Sequence, residues 1–347
     1  MPKDLQSLDH ILIFCPNWIG DVIMATPTFR TVRSGWTGAR ISIALRSGLK
    51  PLIEGADYYD ELIEFERDKG MAVLDVARAL RRRRPDISLL LTHSFRTALL
   101  AFLAGSKRRI GYRANGRRFL LTEPLPFSPT PEYMGDQYMR LAARLGCQEE
   151  TGPPSLPVDR HSEELADEMV LTRKSRRSGP IVGIAPGAAF GPSKIWPLDR
   201  YAAVANRLVQ EDGASVVVLA GPWEQSIRET VEAGIEDKGA VVKAGETTLG
   251  FAKSLMKRLD LLIGADSGAR HMAIAFAVPT VIIMGPNDPK LTESRFEEGV
   301  VVRAEVDCSP CRKKVCPTDH RCMTEIGVER VYEEARKVLG RVSGGGD

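Results

Sequence analysis

The chain has 347 residues, six cysteines and a formal charge of +3. That length predicts two domains with room for two cores, and the composition is that of a soluble globular protein. The charge is too near balance to name a partner, and no stretch reaches the ~18 uninterrupted apolar residues of a membrane span.

The longest apolar candidate, residues 89–105, is broken by His93, Arg96 and several hydroxyls. The N-terminal MPKDLQSLDH has neither a hydrophobic core nor a cleavage site, so a cytoplasmic location is expected. Four of the six cysteines lie in one short stretch, which fits a reducing compartment better than a disulfide framework.

Residues 10–15 (HILIFC) predict a first strand. It ends in Pro16-Asn17-Trp18-Ile19-Gly20-Asp21, and a helical pattern follows to about Arg33, which Pro27 should kink. Strands are expected at 41–45, 61–65 and 86–92, with helices at 72–84 and 94–105. Residues 109–111 lead into a basic loop, and 152–157 (GPPSLP) is a linker by composition. A charged helix at 162–177 bridges to a second α/β series with strands at 180–185, 215–220, 240–242, 261–263 and 279–284. Helices are expected at 198–211, 249–259 and 328–339, followed by a frayed glycine-rich tail. Strands alternating with helices at this spacing predict parallel βαβ units, arranged as two Rossmann-like halves with a cleft between them. The domain boundaries expected on sequence are 1–172, 173–327 and a C-terminal helix and tail at 328–347.

The stretch 259–289 organises the second half as strand, sharp turn, helix, strand and loop. Asp266 and Ser267 are good N-cap types for the helix that follows. A turn at the carboxyl end of a parallel strand, opening a helix, suits a nucleotide diphosphate. Ala265, Ser267 and Gly268 would let the backbone approach phosphate oxygens, and His271 lies one turn beyond Ser267 on the same side. The plainer alternative is a capped turn with a partly buried histidine. Neither GxGxxG nor GxxxxGK[ST] is present.

Two further loops carry candidate chemistry. Gly20-Asp21 follows the first strand. Asp21 stands at a helix start that favours the anion, and it could accept a proton from a sugar hydroxyl. The alternative role is a helix cap. In the loop 186–197, Gly187 and Ala188 keep the backbone approachable, and Lys194 is a counter-charge for a diphosphate leaving group.

PNWIGDVIMATPTFRTVR, LLLTHSFRTALLAFLAGSKRRIGY, PGAAFGPSKIWPLDRYAAVANRL and GADSGARHMAIAFAVPTVIIMGPNDP, in that order, resemble glycosyltransferase family 9 over residues 11–339. The resemblance implies a GT-B fold, two Rossmann-like domains facing a central cleft, with the donor in the C-terminal one. It implies inverting transfer of heptose from an ADP-sugar in the inner core of lipopolysaccharide. By position, Asp21 matches the family's base and Lys194 the lysine on the donor phosphates. Asp266, Ser267, Gly268 and His271 match its D-[ST]-G-x-x-H motif, and Glu224 sits where an acid meets the ribose, although Gln225 aligns nearly as well. No cofactor beyond the ADP-heptose donor is expected, and no catalytic metal, because lysine and backbone N–H groups can stabilise the leaving diphosphate.

Between Arg78 and Arg118 twelve Lys/Arg face one acid, Asp86, an excess of +11. Arg96, Lys107, Arg108, Arg109 and Arg113 are the expected contacts for an anionic lipopolysaccharide acceptor. The same belt would hold the protein at the inner membrane as a peripheral protein. Nucleic acid is the weaker match, since the belt has few interleaved aromatics. Cys308-x2-Cys311-x4-Cys316-x5-Cys322 opens with zinc-like spacing, but its second half matches no common finger; reduced thiols in a structured loop are expected ahead of structural zinc. The competing functions are another nucleotide-sugar transferase of the family and a non-catalytic binder of anionic polymers, which would need neither Asp21 nor Lys194.

Overall fold

The computed structural model describes residues 9–65, 73–148, 152–174, 178–243 and 248–344. The chain divides into two compact units, Met1–Pro157 and Val158–Asp347.

In the first unit, β1 (His10–Phe14), β2 (Arg40–Arg46), β3 (Glu61–Phe65), β4 (Ile87–Leu90), β5 (Arg108–Tyr112) and β6 (Glu123–Leu125) form one parallel sheet. Its order is β3-β2-β1-β4-β5-β6. β1 and β4 are buried along their whole length, as continuous apolar runs covered on both faces should be. Leu12 and Phe14 share a core cluster with Val76, Leu80, Ala98 and Leu100. The helices Val73–Arg81 and Phe95–Leu103, which pack together, roof that cluster. The helices Ile19–Gly35 and Met134–Leu145 also pack together, and right-handed crossovers put them on the opposite face of the sheet. The chain turns from β1 to one side and returns through β4 on the other. The loops after β1 and β4 therefore splay apart at the carboxyl edge, the place where such sheets take ligands.

Helix Ile19–Gly35 runs continuously through Pro27. Proline cannot donate to the carbonyl four residues back, that of Ile23. The Thr26 hydroxyl donates to that carbonyl instead, at 2.8 Å, and itself accepts the Ser155 N–H at 3.1 Å. One side chain thus repairs the helix and ties down the linker.

In the second unit, β7 (Ile181–Ala185), β8 (Ser215–Val218), β9 (Leu261–Ala265), β10 (Thr280–Ile283) and β11 (Gly299–Val302) form a parallel sheet. Its order, β11-β10-β9-β7-β8, puts the switch point between β7 and β9. The fully buried Trp196 donates its indole N–H to the Ile326 carbonyl at 3.0 Å and meets Tyr201 edge-on.

Several elements differ from the sequence expectation. Residues 109–111 are not the start of a loop but part of β5, and β6, β11 and helix Met134–Leu145 add to the expected elements. The expected strand at 240–242 is a single bridge from Val241 to Val216. The bridging helix is Arg160–Lys174; it packs on helix Leu249–Met256 and so goes with the second unit, whereas the expected boundary cut at 172/173. Helix Val328–Gly344 packs into the second unit, with Val331, Tyr332, Ala335 and Val338 in its core. The first eight residues, Ala72, residues 175–177 and the last three lie outside the described residues. Among the described residues no helix is long and apolar enough to cross a membrane.

Candidate active site

At the switch point of the second unit, the loops leaving β7 and β9 meet through charge. The loop after β7 ends in a short 3-10 turn, Pro192–Lys194. Lys194 is almost fully buried, and its Nζ donates to the Asp266 carbonyl at 2.7 Å and to Asp266 Oδ2 at 2.9 Å. The Phe190 ring lies 5.1 Å from the ammonium, close enough for a cation–π attraction. Asn287, from the loop after β10, donates to the same carboxylate oxygen at 2.6 Å. The other oxygen, Oδ1, accepts from Arg270 at 3.0 Å.

Arg270 is fully buried and forks onto Glu297, Nε to Oε1 at 2.8 Å and Nη2 to Oε2 at 2.6 Å. Thr280 donates to Glu297 Oε1 at 2.9 Å, and Arg270 also donates to the Thr292 hydroxyl at 3.1 Å. Lys194, Asp266, Arg270 and Glu297 thus form a chain of alternating charge. Two cations meet Asp266: burial acts to raise its carboxyl, but Lys194 and Arg270 prevail and hold it well below the usual carboxylate range. His271 beside them is driven down to about 3, first by burial and then by the Arg270 charge, so it is neutral. Asp266 therefore does not cap the helix Gly268–Ala275. Ser267 is the N-cap residue and makes no side-chain cap bond, which leaves the first turn's N–H groups without side-chain competition.

Gly187 and Glu224 are also brought together. The Glu224 carboxylate accepts the Gly221 N–H at 2.9 Å. A Cβ on Gly187 would lie 2.3 Å from it, so any larger residue there would displace the Glu224 carboxylate. Ala188 is buried beside Gly187. The cysteine-bearing segment splints these loops from outside. Ser193 donates its N–H to Lys314 O at 3.2 Å and its hydroxyl to Lys313 O at 2.6 Å, and the His320 ring bonds the Ser193 carbonyl at 2.8 Å. Arg312 N–H donates to Pro286 O at 2.8 Å. The thiols are free. Cys308 is exposed and Cys322 buried, the latter pushed up to about 11 by burial and by its neighbouring thiols. Cys15 and Cys147 are buried in the first unit. Among the described residues no group of three or more His, Cys, Asp or Glu is arranged to hold a metal.

In the first unit, Gly20 is buried and Asp21 half-buried in the first turn of helix Ile19–Gly35, at the carboxyl edge beside β1. The buried Tyr138 hydroxyl hydrogen-bonds Asp21 and is held well above its usual range, by burial first and the Asp21 charge second. No local pattern announces this pair, since Tyr138 sits on the unforeseen helix Met134–Leu145.

The basic belt divides. Arg96, at the start of helix Phe95–Leu103, and the exposed Arg113, just after β5, lie at the carboxyl edge. Lys107 and Arg108 lie at the amino end of β5 and are paired, with Asp86 at 3.0 Å and Glu123 at 2.6 Å. Arg109 donates to the Leu120 carbonyl at 2.7 Å and to that of Ser106. The structure does not bring these three to the edge that carries Asp21. Arg83 forks onto Glu61. Arg117 is buried and ties the Tyr112 and Ser94 carbonyls together, its guanidinium driven down to about 10 by burial.

A profile for "Glycosyltransferase family 9 (heptosyltransferase)" matches residues 57–321. The chain is 28% identical to lipopolysaccharide heptosyltransferase 2 of Escherichia coli K12 over 95% of this chain and 98% of that one. It is 25% identical to lipooligosaccharide heptosyltransferase 2 of Haemophilus ducreyi, over 95% and 99%. The solved structure of E. coli ADP-heptose lps heptosyltransferase II matches with a TM-score of 0.80 at 26% identity, over 96% of this chain and 99% of that one. The likeness spans both units and shows the GT-B fold. The chain belongs to glycosyltransferase family 9, the heptosyltransferases.

Proposed function

We propose that this enzyme is a heptosyltransferase of the second type, moving heptose from ADP-L-glycero-D-manno-heptose to the inner core of lipopolysaccharide with inversion. The observation that carries the proposal is the Lys194–Asp266 pair at the β7/β9 switch point, in a chain whose relatives of matching length bear that name. An acceptor hydroxyl oxygen attacks the anomeric carbon as the bond to the diphosphate breaks, and ADP leaves with the electron pair. Asp21 takes the hydroxyl proton. Lys194 and the N–H groups at Ser267 and Gly268 meet the charge that grows on the diphosphate. When Lys194 turns to phosphate, Arg270 and Asn287 remain to compensate Asp266. Gly187 and Ala188 admit the donor, Glu224 takes the ribose hydroxyls, and His271 serves as a neutral polar wall. Arg96 and Arg113 receive the anionic acceptor, and the enzyme works as a peripheral protein on the cytoplasmic face of the inner membrane.

Incubation with ADP-heptose and a lipopolysaccharide lacking the second heptose tests this. One heptose mass added to the acceptor, with equimolar ADP released, is the expected result. Transfer only to an acceptor lacking all heptose would assign the first-type reaction, and transfer only to a core already carrying two heptoses would assign the third.

A further inference from the structure

The helix layer over β4 and β5 presents an outward face that the catalytic proposal does not use. Helix Phe95–Leu103 leaves Phe95 41% and Phe102 49% exposed, seven residues apart and hence on one side. Phe119, 74% exposed in the 3-10 turn Arg118–Leu120, touches Phe95 with ring centroids 6.0 Å apart. On the adjoining helix Val73–Arg81, Leu74 is 54% exposed. Large apolar side chains gathered on one face mark an interaction site, unlike the same residues scattered singly. Basic groups stand at both ends of this face. Both helices run from the carboxyl edge to the amino edge of the sheet, so Arg81 and Arg82 lie at the Phe102 end and Arg118 at the Phe95 end. These three are exposed and have no carboxylate partner among the described residues. The Arg109 guanidinium lies 5.4 Å from the Phe102 ring.

We propose that this face docks the enzyme on an anionic bilayer, with Phe95, Phe102, Phe119 and Leu74 entering the interface and Arg81, Arg82 and Arg118 meeting lipid phosphates. The inference rests on the proposed membrane-borne acceptor for its purpose, but the surface stands on its own geometry. Aromatic and aliphatic side chains on the outside of a helix, ringed by arginine, have the form of an interfacial amphipathic surface. Single-stranded nucleic acid is the less favoured occupant. It requires a basic groove with rings on which bases stack, and here the apolar groups stand on the outer side of two helices and include an aliphatic Leu74. The Phe95 end adjoins Ser94 and Arg96, so a lipid-anchored acceptor would rise from the bilayer beside the carboxyl edge.

Co-sedimentation of the full chain with phosphatidylcholine vesicles, with and without phosphatidylglycerol, tests the proposal. The expected result is binding to the anionic vesicles and little to the neutral ones. Phe102→Ser with Phe119→Ser should weaken binding about tenfold or more at low and high salt alike, because the lost contact is apolar. Arg81→Glu with Arg82→Glu should weaken it chiefly at low salt. Both variants should keep wild-type melting temperature and turnover on detergent-dispersed acceptor, since neither touches the proposed catalytic residues. Wild-type vesicle binding by the aromatic variant overturns the proposal, and so does tighter binding of single-stranded DNA than of anionic vesicles. Vesicle binding without heptosyl transfer would sink the functional proposal and leave this one standing.

Discussion

Lys194 Nζ holds Asp266 twice, by its backbone carbonyl and by its carboxylate, and so ties the loop after β7 to the loop after β9. The two residues come from separate βα turns and meet only because β7 and β9 are neighbours. The lysine is oriented before any donor arrives, and its partner carboxylate has a second cation, Arg270, in reserve.

Lys194→Ala should lower turnover by ~10²–10³-fold, the usual loss when a donor aimed at developing charge is removed. Stability should fall by roughly 1.5–3 kcal/mol for the lost charge-assisted bond, since Arg270 and Asn287 still hold Asp266. Steady-state kinetics with urea unfolding separates the two effects. A stability loss with unchanged turnover would confine Lys194 to a structural role.

Arg270→Ala should be the more damaging change to the fold. It leaves the buried Glu297 and one oxygen of Asp266 without their cation, and breaking a buried pair this way costs about 3–5 kcal/mol. Urea unfolding would measure it. A loss under about 1 kcal/mol would mean that the alternating chain does not hold the β9–β11 region together.

Asp21→Asn is close to isosteric and keeps a partner for the Tyr138 hydroxyl. ADP affinity should stay near wild type while transfer drops by ~10²–10⁴-fold. Calorimetry with ADP beside a heptosyl-transfer assay would show the split. Near-normal transfer by the asparagine variant would remove Asp21 from the proton step.

Acid should destabilise the fold well above carboxylate pKa values. His271 and His93 are driven down to about 3 and about 4, by burial first and by Arg270 and Arg117 respectively. Both fold neutral, whereas the unfolded imidazole titrates near ~6.5. Their contribution is therefore complete above about pH 6.5 and is lost as pH falls toward about 4. Each contributes a slope approaching roughly 1.4 kcal/mol per pH unit. Urea unfolding across that window should show the wild-type slope reduced by about one proton in His271→Asn. An unchanged slope would show that His271 is protonated in the folded protein.

The two ends of the basic belt should behave differently. Reversing Arg96 and Arg113 to Glu should raise the acceptor KM and leave donor affinity alone. The effect should shrink with salt as the Debye length falls from ~30 Å at 0.01 M to ~8 Å at 0.15 M. Lys107→Gln should do little, because Lys107 is paired with Asp86 at the opposite edge of the sheet. Equal KM effects at Lys107 and Arg113 would contradict a site at the carboxyl edge.

Most of the strands, and the loops that carry the candidate site, were legible in the residues, whereas β6, β11 and helix Met134–Leu145 were not. Short continuous apolar runs such as HILIF and LLIGA, bounded by turn residues, read as strands buried on both faces, and parallel strands put ligand loops at their carboxyl ends. Gly20-Asp21, the loop of Lys194 and the turn at Asp266 were legible for that reason. Which side chains pair with which came from the packing instead. Arg108 finds Glu123 because β5 and β6 are neighbours, so its charge is neutralised far from the expected acceptor. Tyr138 reaches Asp21 because two helices pack across one sheet face, and Glu297 reaches Arg270 across the β10–β11 crossover. An ionic partner is chosen by strand order and helix packing, which bring together residues distant in the chain, and no local period or composition carries that information.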